Sequence, residues 1–403
     1  MAKHIILISG NTSVSEEEYI NSLTRNRYQT AANTLSGSIF YGLKDIFNEK
    51  LTLVSSPLIP SFPKYFKKLF YKGKEKFDYY GRDAYGTKFV TIPVLKLFFK
   101  QKSILKVLNS QIYRKNEDYI IIIYGVHTPY LKSAVEFKKN YPNTKLCLIV
   151  PDLPSYMSAS NNLVYLFLKK IDSYIQKKLF ISVDSYVFLT EFMKPHFDLH
   201  DKKSIVIEGI YNQNLKFAEK IEDYIEKKNV ILYTGTLDKR YGMQDLLSAF
   251  EGIPNAELWI CGDGDLRDTI KSMISSGYNI KYFGHVAQDE VTKLQKQAKV
   301  LVNPRSSLGE YTKYSFPSKT IEYLASGTPC VMRKLPGIPS DYDKYIFYTK
   351  DDTVQALRDS LCDVLSKPQS ELNEFGRKAA DFIKSNKNSR IQAEKILSII
   401  LER

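Results

Sequence analysis

Residues 305–339 read RSSLGEYTKYSFPSKTIEYLASGTPCVMRKLPGIP. Just before them, residues 298–302 (AKVLV) form a short apolar run that reads as a buried parallel strand, ending at Asn303-Pro304. Ser315–Ser318 supplies a loop and a helix start: Pro317 suits a first helical position, where its missing N–H costs nothing, and Ser318 is small and polar. Residues 320–326 continue the helix, Gly327 ends it, and 328–332 (TPCVM) is expected to be the next strand. Strand–loop–helix–strand places a helix N-terminus just past a strand's carboxyl end, where backbone N–H groups favour phosphate. Glu322 falls about one turn inside, on the side facing the loop, where a carboxylate can accept from both hydroxyls of a ribose.

Working outward, short apolar runs alternate with helical stretches. In the first half they cover 5–8, 51–54, 119–124 (YIIIIY), 146–150, 183–189 and 205–207; in the second, 230–233, 257–260, 282–284, 300–302 and 330–332. YIIIIY, apolar almost throughout, belongs at the centre of a parallel sheet. Residues 30–47 carry Leu35, Ile39, Phe40, Leu43 and Phe47 at helical spacing. This alternation is the sequence form of doubly wound sheets. The polar stretch 212–229 reads as the connection between two such domains, 1–211 and 230–380, and 381–403 as a final helix.

At 403 residues the chain is long enough for two full cores. Cys147, Cys261, Cys330 and Cys362 are scattered, which favours a reducing compartment and argues against zinc. A strand begins at once with no signal-peptide pattern before it, and no apolar run reaches the ~20 residues needed to span a bilayer. A cytoplasmic location is expected. The net charge of +14 is uneven: residues 1–200 hold 28 Lys and Arg against 16 Asp and Glu, and residues 201–403 hold 30 against 28. The surplus concentrates in 64–106, with 12 basic, 3 acidic and 11 aromatic residues. Such interleaving suits an interfacial helix or loop at an anionic membrane, a nucleic-acid groove, or a solvated basic face over core aromatics.

Ser315, Phe316, Pro317, Ser318, Lys319, Glu322, Tyr323, Ala325, Gly327 and Pro329 together match SFPSK-x-x-EY-x-A-x-G-x-P. This resembles the nucleotide-sugar motif of glycosyltransferase family 4. KLPGIPSDYDKYI (334–346) and the AAN and GL segments of 31–43 are similar to its capsule and exopolysaccharide members. The resemblance implies a GT-B architecture: two Rossmann-like doubly wound α/β domains facing across a cleft, with the C-terminal helix crossing back to the first. Donor nucleotide is then expected on the second domain and acceptor on the first.

When a sugar leaves a diphosphate, negative charge grows on the phosphate oxygens, and fixed cations and N–H groups can stabilise it without a metal. Lys319 is the foremost candidate, with Lys239, Arg240 and Arg305 as further cations. Gly235 and Thr236 permit close backbone approach to the diphosphate, as Gly262 and Gly264 do near the base. Tyr314, Ser315, Phe316, Pro317 and Ser318 complete the expected donor site. His127, after YIIIIY, stands where family members have a His reaching the donor sugar. Asn11, Asn33 and Asp152 are the acceptor-side expectations. Asp263-Gly264-Asp265 and Asp341-Tyr342-Asp343 spell DxD but sit in turn-like contexts, and no required metal is expected.

Two departures from the family stand out. Its G-R-L-x-x-x-K-G reads here Gly235-Thr236-Leu237-Asp238-Lys239-Arg240-Tyr241-Gly242, so Thr236 and Tyr241 replace the phosphate-gripping Arg and Lys. The position of the first acid of its Glu-x7-Glu motif is held by Tyr314, and Glu310, four residues earlier, could substitute, as could another residue. The resemblance implies a retaining transferase, cofactor-independent, using a nucleotide-diphosphate sugar, with a UDP-sugar favoured. A lipid-linked glycan acceptor at the inner membrane face, held through 64–106, follows from the same resemblance, and nucleic acid is not expected. A nucleotide-sugar epimerase and a degenerate binding subunit remain the alternatives.

Overall fold

The computed structural model describes residues 3–25, 31–47, 50–153, 163–212 and 227–401. The chain divides into two compact units, Met1–Ile207 with Ser389–Arg403, and Glu208–Asn388.

The first unit has strands β1 (His4–Ser9), β2 (Leu51–Ser55), β3 (Phe70–Lys72), β4 (Phe77–Tyr79), β5 (Arg82–Gly86), β6 (Lys88–Val90), β7 (Tyr119–Tyr124), β8 (Lys145–Val150), β9 (Ser185–Phe188) and β10 (Lys203–Val206). Its helices are α1 (Val14–Leu23), α2 (Ala31–Ile46), α3 (Leu95–Val107), α4 (Thr128–Asn140) and α5 (Leu163–Phe180). The main sheet runs β10-β9-β8-β7-β1-β2-β5-β4, parallel except for β4. All six residues of β7 are buried between β1 and β8, as a continuous apolar run requires when both sheet faces are covered. The strand order reverses at β1, so the carboxyl ends of β1, β2 and β7 mark the switch point where open α/β sheets bind ligands.

Residues 64–106 form neither a single interfacial helix nor a loop. They fold into β3–β6 and most of α3, with Phe66, Tyr71 and Phe89 in a small core beside Ile20 and Ile59. Alternation explains the miss: in β3, Tyr71 is buried between exposed Phe70 and Lys72, a period of two inside a run too short to read.

The second unit has β11 (Lys228–Thr234), β12 (Glu257–Cys261), β13 (Ile280–Gly284), β14 (Ala298–Asn303), β15 (Cys330–Met332) and β16 (Phe347–Tyr348). Its helices are α6 (Met243–Phe250), α7 (Arg267–Ser275), α8 (Gln288–Gln297), α9 (Ser318–Ala325), α10 (Val354–Ser366) and α11 (Gln369–Asn386). The all-parallel sheet is ordered β13-β12-β11-β14-β15-β16, with apolar clusters on both faces.

Most of the polar connection expected at 212–229 lies outside the described residues. The returning segment begins later than 381, because α11 runs on to Asn386 within the second unit and α12 (Ser389–Leu401) alone joins the first. There α12 packs on α2, so closely that a Cβ on Gly42 would lie 1.9 Å from the Ser389 carbonyl oxygen. The two ends of the second unit are clasped together: buried Lys387 pairs with buried Glu208, which also accepts from the Tyr342 hydroxyl at 2.7 Å.

Candidate functional site

In the second unit the strand–loop–helix–strand parse holds, with one shift. Pro317 is the N-cap of α9 rather than its first residue, and Ser318 opens the helix. No side chain caps that end, and its first turn holds Lys319 and no acid. A cation is unfavourable at a helix N-terminus. Lys319 Nζ meets Glu322 Oε2 at 2.7 Å, both side chains about one-third exposed. Such a pair is worth roughly 0.3–0.5 kcal/mol, well under the roughly 1.5–3 kcal/mol of a hydrogen bond to a charged group. A diphosphate at Lys319 and a ribose at Glu322 would therefore separate them readily.

Tyr323 fixes this helix to the carboxyl end of β11. Its hydroxyl accepts from the Thr234 N–H at 2.9 Å and donates to the Thr234 carbonyl at 3.1 Å, fully buried. It is a positioning residue that the motif contained but sequence reasoning left without a role.

Arg305, just beyond β14, is the cation the structure sets apart. Its guanidinium carbon lies 5.9 Å from the Tyr241 ring and 5.4 Å from the Tyr311 ring, and Nη2 donates to Ser315 Oγ at 2.9 Å. Among the described residues no carboxylate pairs with it, its Nε is buried without a hydrogen-bond partner, and burial pushes its pKa down. Tyr241, where the family pattern has Lys, thus forms part of the shelf for an arginine from another loop. Arg333 braces that loop. Only 1 % exposed, it pairs with Asp245 (2.8 Å) and Asp352 (3.0 Å) and donates to the Pro304 carbonyl (2.8 Å). Asp352 in turn accepts from the Ser307 N–H at 3.0 Å. Nothing in the sequence marked Arg333, since its partners lie 19 to 88 positions away.

Other donor-side expectations divide. Thr236 and Lys239 are exposed beside Gly235 at the strand end. Arg240 is instead bound by Asp238 through Nη2 (2.6 Å) and Nε (3.1 Å), and that pairing lowers the Asp238 pKa. Phe316 is a core residue against Tyr342. Pro317 is half-buried and Ser318 exposed. Gly262 and Gly264 serve backbone packing: added Cβ atoms would lie 1.8 Å from the Gly235 oxygen and 2.6 Å from the Leu237 oxygen, and both φ angles are positive. The Tyr314 hydroxyl donates to Glu310 Oε1 at 3.3 Å, so the residue at the position of the absent acid touches a neighbouring carboxylate.

In the first unit, His127 is the N-cap of α4, half-buried, its ring edge-on to Tyr130 at 5.2 Å. Burial, followed by the charges of Lys100 and Lys96, pushes its pKa down to about 3, so the imidazole is neutral at physiological pH. Among the described residues neither ring nitrogen has a hydrogen-bond partner, which leaves one donor and one acceptor for a ligand. Lys100 was hidden in the basic run. It is buried, donates to the Pro57 carbonyl at 2.8 Å and lies 5.1 and 5.2 Å from the Phe89 and Tyr130 rings. Asn11 is buried and bonded to Ser9, Ser36 and Tyr79, which makes it a structural tie at the end of β1. Asp152 is exposed after β8; Asn33 lies in α2 with its side chain outside the described residues.

Among the described residues no group of three or more His, Cys, Asp or Glu is placed to hold a metal, and no helix is long and apolar enough to cross a membrane. A concavity of about 720 Å³ beside Tyr345, Phe375 and Phe382 contains none of the residues above.

Residues 216–384 match the family model described as glycosyl transferases group 1. No curated protein sequence matches the chain. Solved structures similar to it include sucrose-phosphate synthase from Thermosynechococcus elongatus (14% identity, 98% of each chain covered, TM-score 0.67). A trehalose-6-phosphate protein from E. coli bound with UDP-2-fluoro glucose aligns over 100% of both chains at 11% identity and TM-score 0.66. A TarM variant from S. aureus, in complex with fondaparinux, alpha-GlcNAc-glycerol and UDP, aligns over 99% of this chain and 100% of its own, at 13% identity and TM-score 0.61. The chain has the GT-B fold, and residues 216–384 carry the pattern of glycosyl transferases group 1.

Proposed function

We propose that the chain is a retaining glycosyltransferase that moves a sugar from a nucleotide-diphosphate sugar, a UDP-sugar favoured, to a lipid-linked glycan in surface polysaccharide assembly. The observation that carries this is Arg305: a guanidinium withdrawn from water, without a counter-ion among the described residues, at a strand's carboxyl end in the region of the group 1 match. The UDP and UDP-sugar in the similar structures favour a uridine donor.

In this reading Arg305, Lys319 and the uncapped end of α9 stabilise the charge that grows on the departing diphosphate. Glu322 accepts from the ribose hydroxyls, and Glu310, held by Tyr314, stands in for the absent acid at the donor sugar. Neutral His127 hydrogen-bonds sugar hydroxyls, and Asp152 serves the acceptor. The anomeric carbon–oxygen bond to the diphosphate breaks as the acceptor oxygen bonds to the same face. The acceptor's proton passes to a departing phosphate oxygen. The basic segment 64–106 holds the protein at the inner membrane surface.

Thermal-shift measurements with UDP, GDP, dTDP, CDP and ADP test the donor half. One diphosphate at a hundred times its Kd stabilises the native chain by about 2.7 kcal/mol, and Arg305→Met and Glu322→Ala abolish the response. No response to any nucleotide from the folded chain overturns the reading. Binding without sugar transfer to any lipid-linked acceptor favours the degenerate binding subunit, which the Lys319–Glu322 and Asp238–Arg240 closures also suit.

A further inference from the structure

Helix α5 is attached by its polar side. Asp172 accepts from Thr128 and Gln176, and buried Gln176 donates to Asp172 at 2.8 Å and to Thr128 at 3.1 Å. The opposite stripe, at spacings of four and three, is Phe167, Ile171 and Tyr174, with Phe167 63 % and Tyr174 60 % exposed. Tyr165, Leu166 and Leu168 are exposed too. This reverses the ordinary rule that a surface helix buries its apolar stripe. Exposed Lys170, Lys177 and Lys178 flank the stripe, with Lys178 Nζ 4.4 Å from the Tyr174 ring. No acidic residue of α5 lies on that side, because its only one, Asp172, faces α4.

The start of α3 repeats the composition. Val94, Leu95, Phe98 and Phe99 are exposed, and Lys102 Nζ lies 4.3 Å from the Phe98 ring. Helix α4 packs against both α3 and α5. The two apolar–basic surfaces therefore belong to one layer of the first unit. Among its described residues the second unit shows no such layer; the large apolar side chains exposed there are Tyr241, Ile274, Tyr278, Leu308 and Tyr311, with the two Tyr rings of the Arg305 shelf among them.

We infer that α5, with the start of α3, is a membrane-docking surface that lies in the headgroup region of an anionic bilayer. Aromatic and aliphatic side chains enter the acyl boundary while the lysine ammoniums meet lipid phosphates, the composition by which amphipathic helices bind interfaces. Lysine flanks without acids exclude a basic partner and match an anionic one. The choice of a bilayer over an acidic protein rests on the lipid-linked acceptor proposed above. The inference extends that reading to a helix outside 64–106.

The test is sedimentation of the full chain with vesicles of phosphatidylcholine alone and with added phosphatidylglycerol, in low and high salt. The native chain binds the anionic vesicles, less so in high salt. Phe167→Ser with Tyr174→Ser weakens binding about tenfold, Lys177→Glu with Lys178→Glu by at least as much, and each variant keeps its nucleotide thermal shift. The inference is overturned by unchanged binding in the α5 variants, by no binding to anionic vesicles at low salt, or by a self-associated form that the same substitutions disperse. Vesicle binding by a chain that ignores every nucleotide would overturn the transferase reading and leave this surface standing. A nucleotide response without vesicle binding would do the reverse.

Discussion

At the carboxyl end of β14 the second unit keeps a cation on a braced loop, whereas at the ends of β1 and β7 the first unit ties Asn11 into protein hydrogen bonds and keeps His127 uncharged. Arg305 rests on two aromatic rings while Arg333, Asp352 and Ser307 fix its loop from beneath. Asn11 and Lys100, by contrast, are buried against protein partners, and His127 is kept uncharged. One unit is built to meet fixed charge. The other offers neutral hydrogen bonds and, on its helices, apolar surface.

The bracing is tested most severely at Arg333. Arg333→Met leaves Asp352 and partly exposed Asp245 without their cation, and losing hydrogen bonds between charged groups of this kind costs about 1.5–3 kcal/mol. Urea unfolding of the second unit should show that loss, and a change under about 1 kcal/mol would end the claim that the loop is held from below. Tyr323→Phe removes the link between α9 and Thr234 and strands a buried N–H, a cost of about 1–3 kcal/mol. Nucleotide response should weaken with it, separating positioning from simple packing.

The withdrawn charge of the first unit is tested by acid. His127 has its pKa lowered to about 3 from 6.5, so between those values the unfolded chain takes up a proton that the folded one refuses. Its contribution is complete above pH 6.5 and is lost as pH falls, at about 1.4 kcal/mol per pH unit. In His127→Gln the stability difference between pH 7 and pH 5 shrinks by about 2 kcal/mol. An unchanged difference would mean that the imidazole ionises freely. The smallest effect belongs to Lys319→Ala, which shifts unfolding by less than about 1 kcal/mol while abolishing the nucleotide response.

The sequence was most legible where chemistry is local. YIIIIY could only be a central strand, and SFPSK-x-x-EY carries its helix start and carboxylate within nine positions. What it concealed depends on distant backbone. Gly262 and Gly264 look like ligand-facing glycines until the Gly235 and Leu237 carbonyls are seen to fill the space beside them. Arg305 looks like one loop cation among several until Tyr241, 64 positions earlier, arrives under it. Lys100 reads as surface charge because only tertiary packing places two rings and a carbonyl around it. In α5 the pattern is plainly amphipathic, but periodicity cannot say which stripe faces the sheet. Asp172 and Gln176 decide it through Thr128.

The contact of α12 with α2 has a consequence for synthesis. A ribosome delivers β1 to β10 first, then all of the second unit, and only afterwards the helix that seals α2. The Glu208–Lys387 clasp that closes the later-made unit on itself lies two residues before that helix begins. The first unit must wait, unsealed along α2, through some 180 residues of someone else's folding, roughly ten to forty seconds at ordinary translation rates. The unit whose strands are made before those of the second is thus completed only after the second has been made.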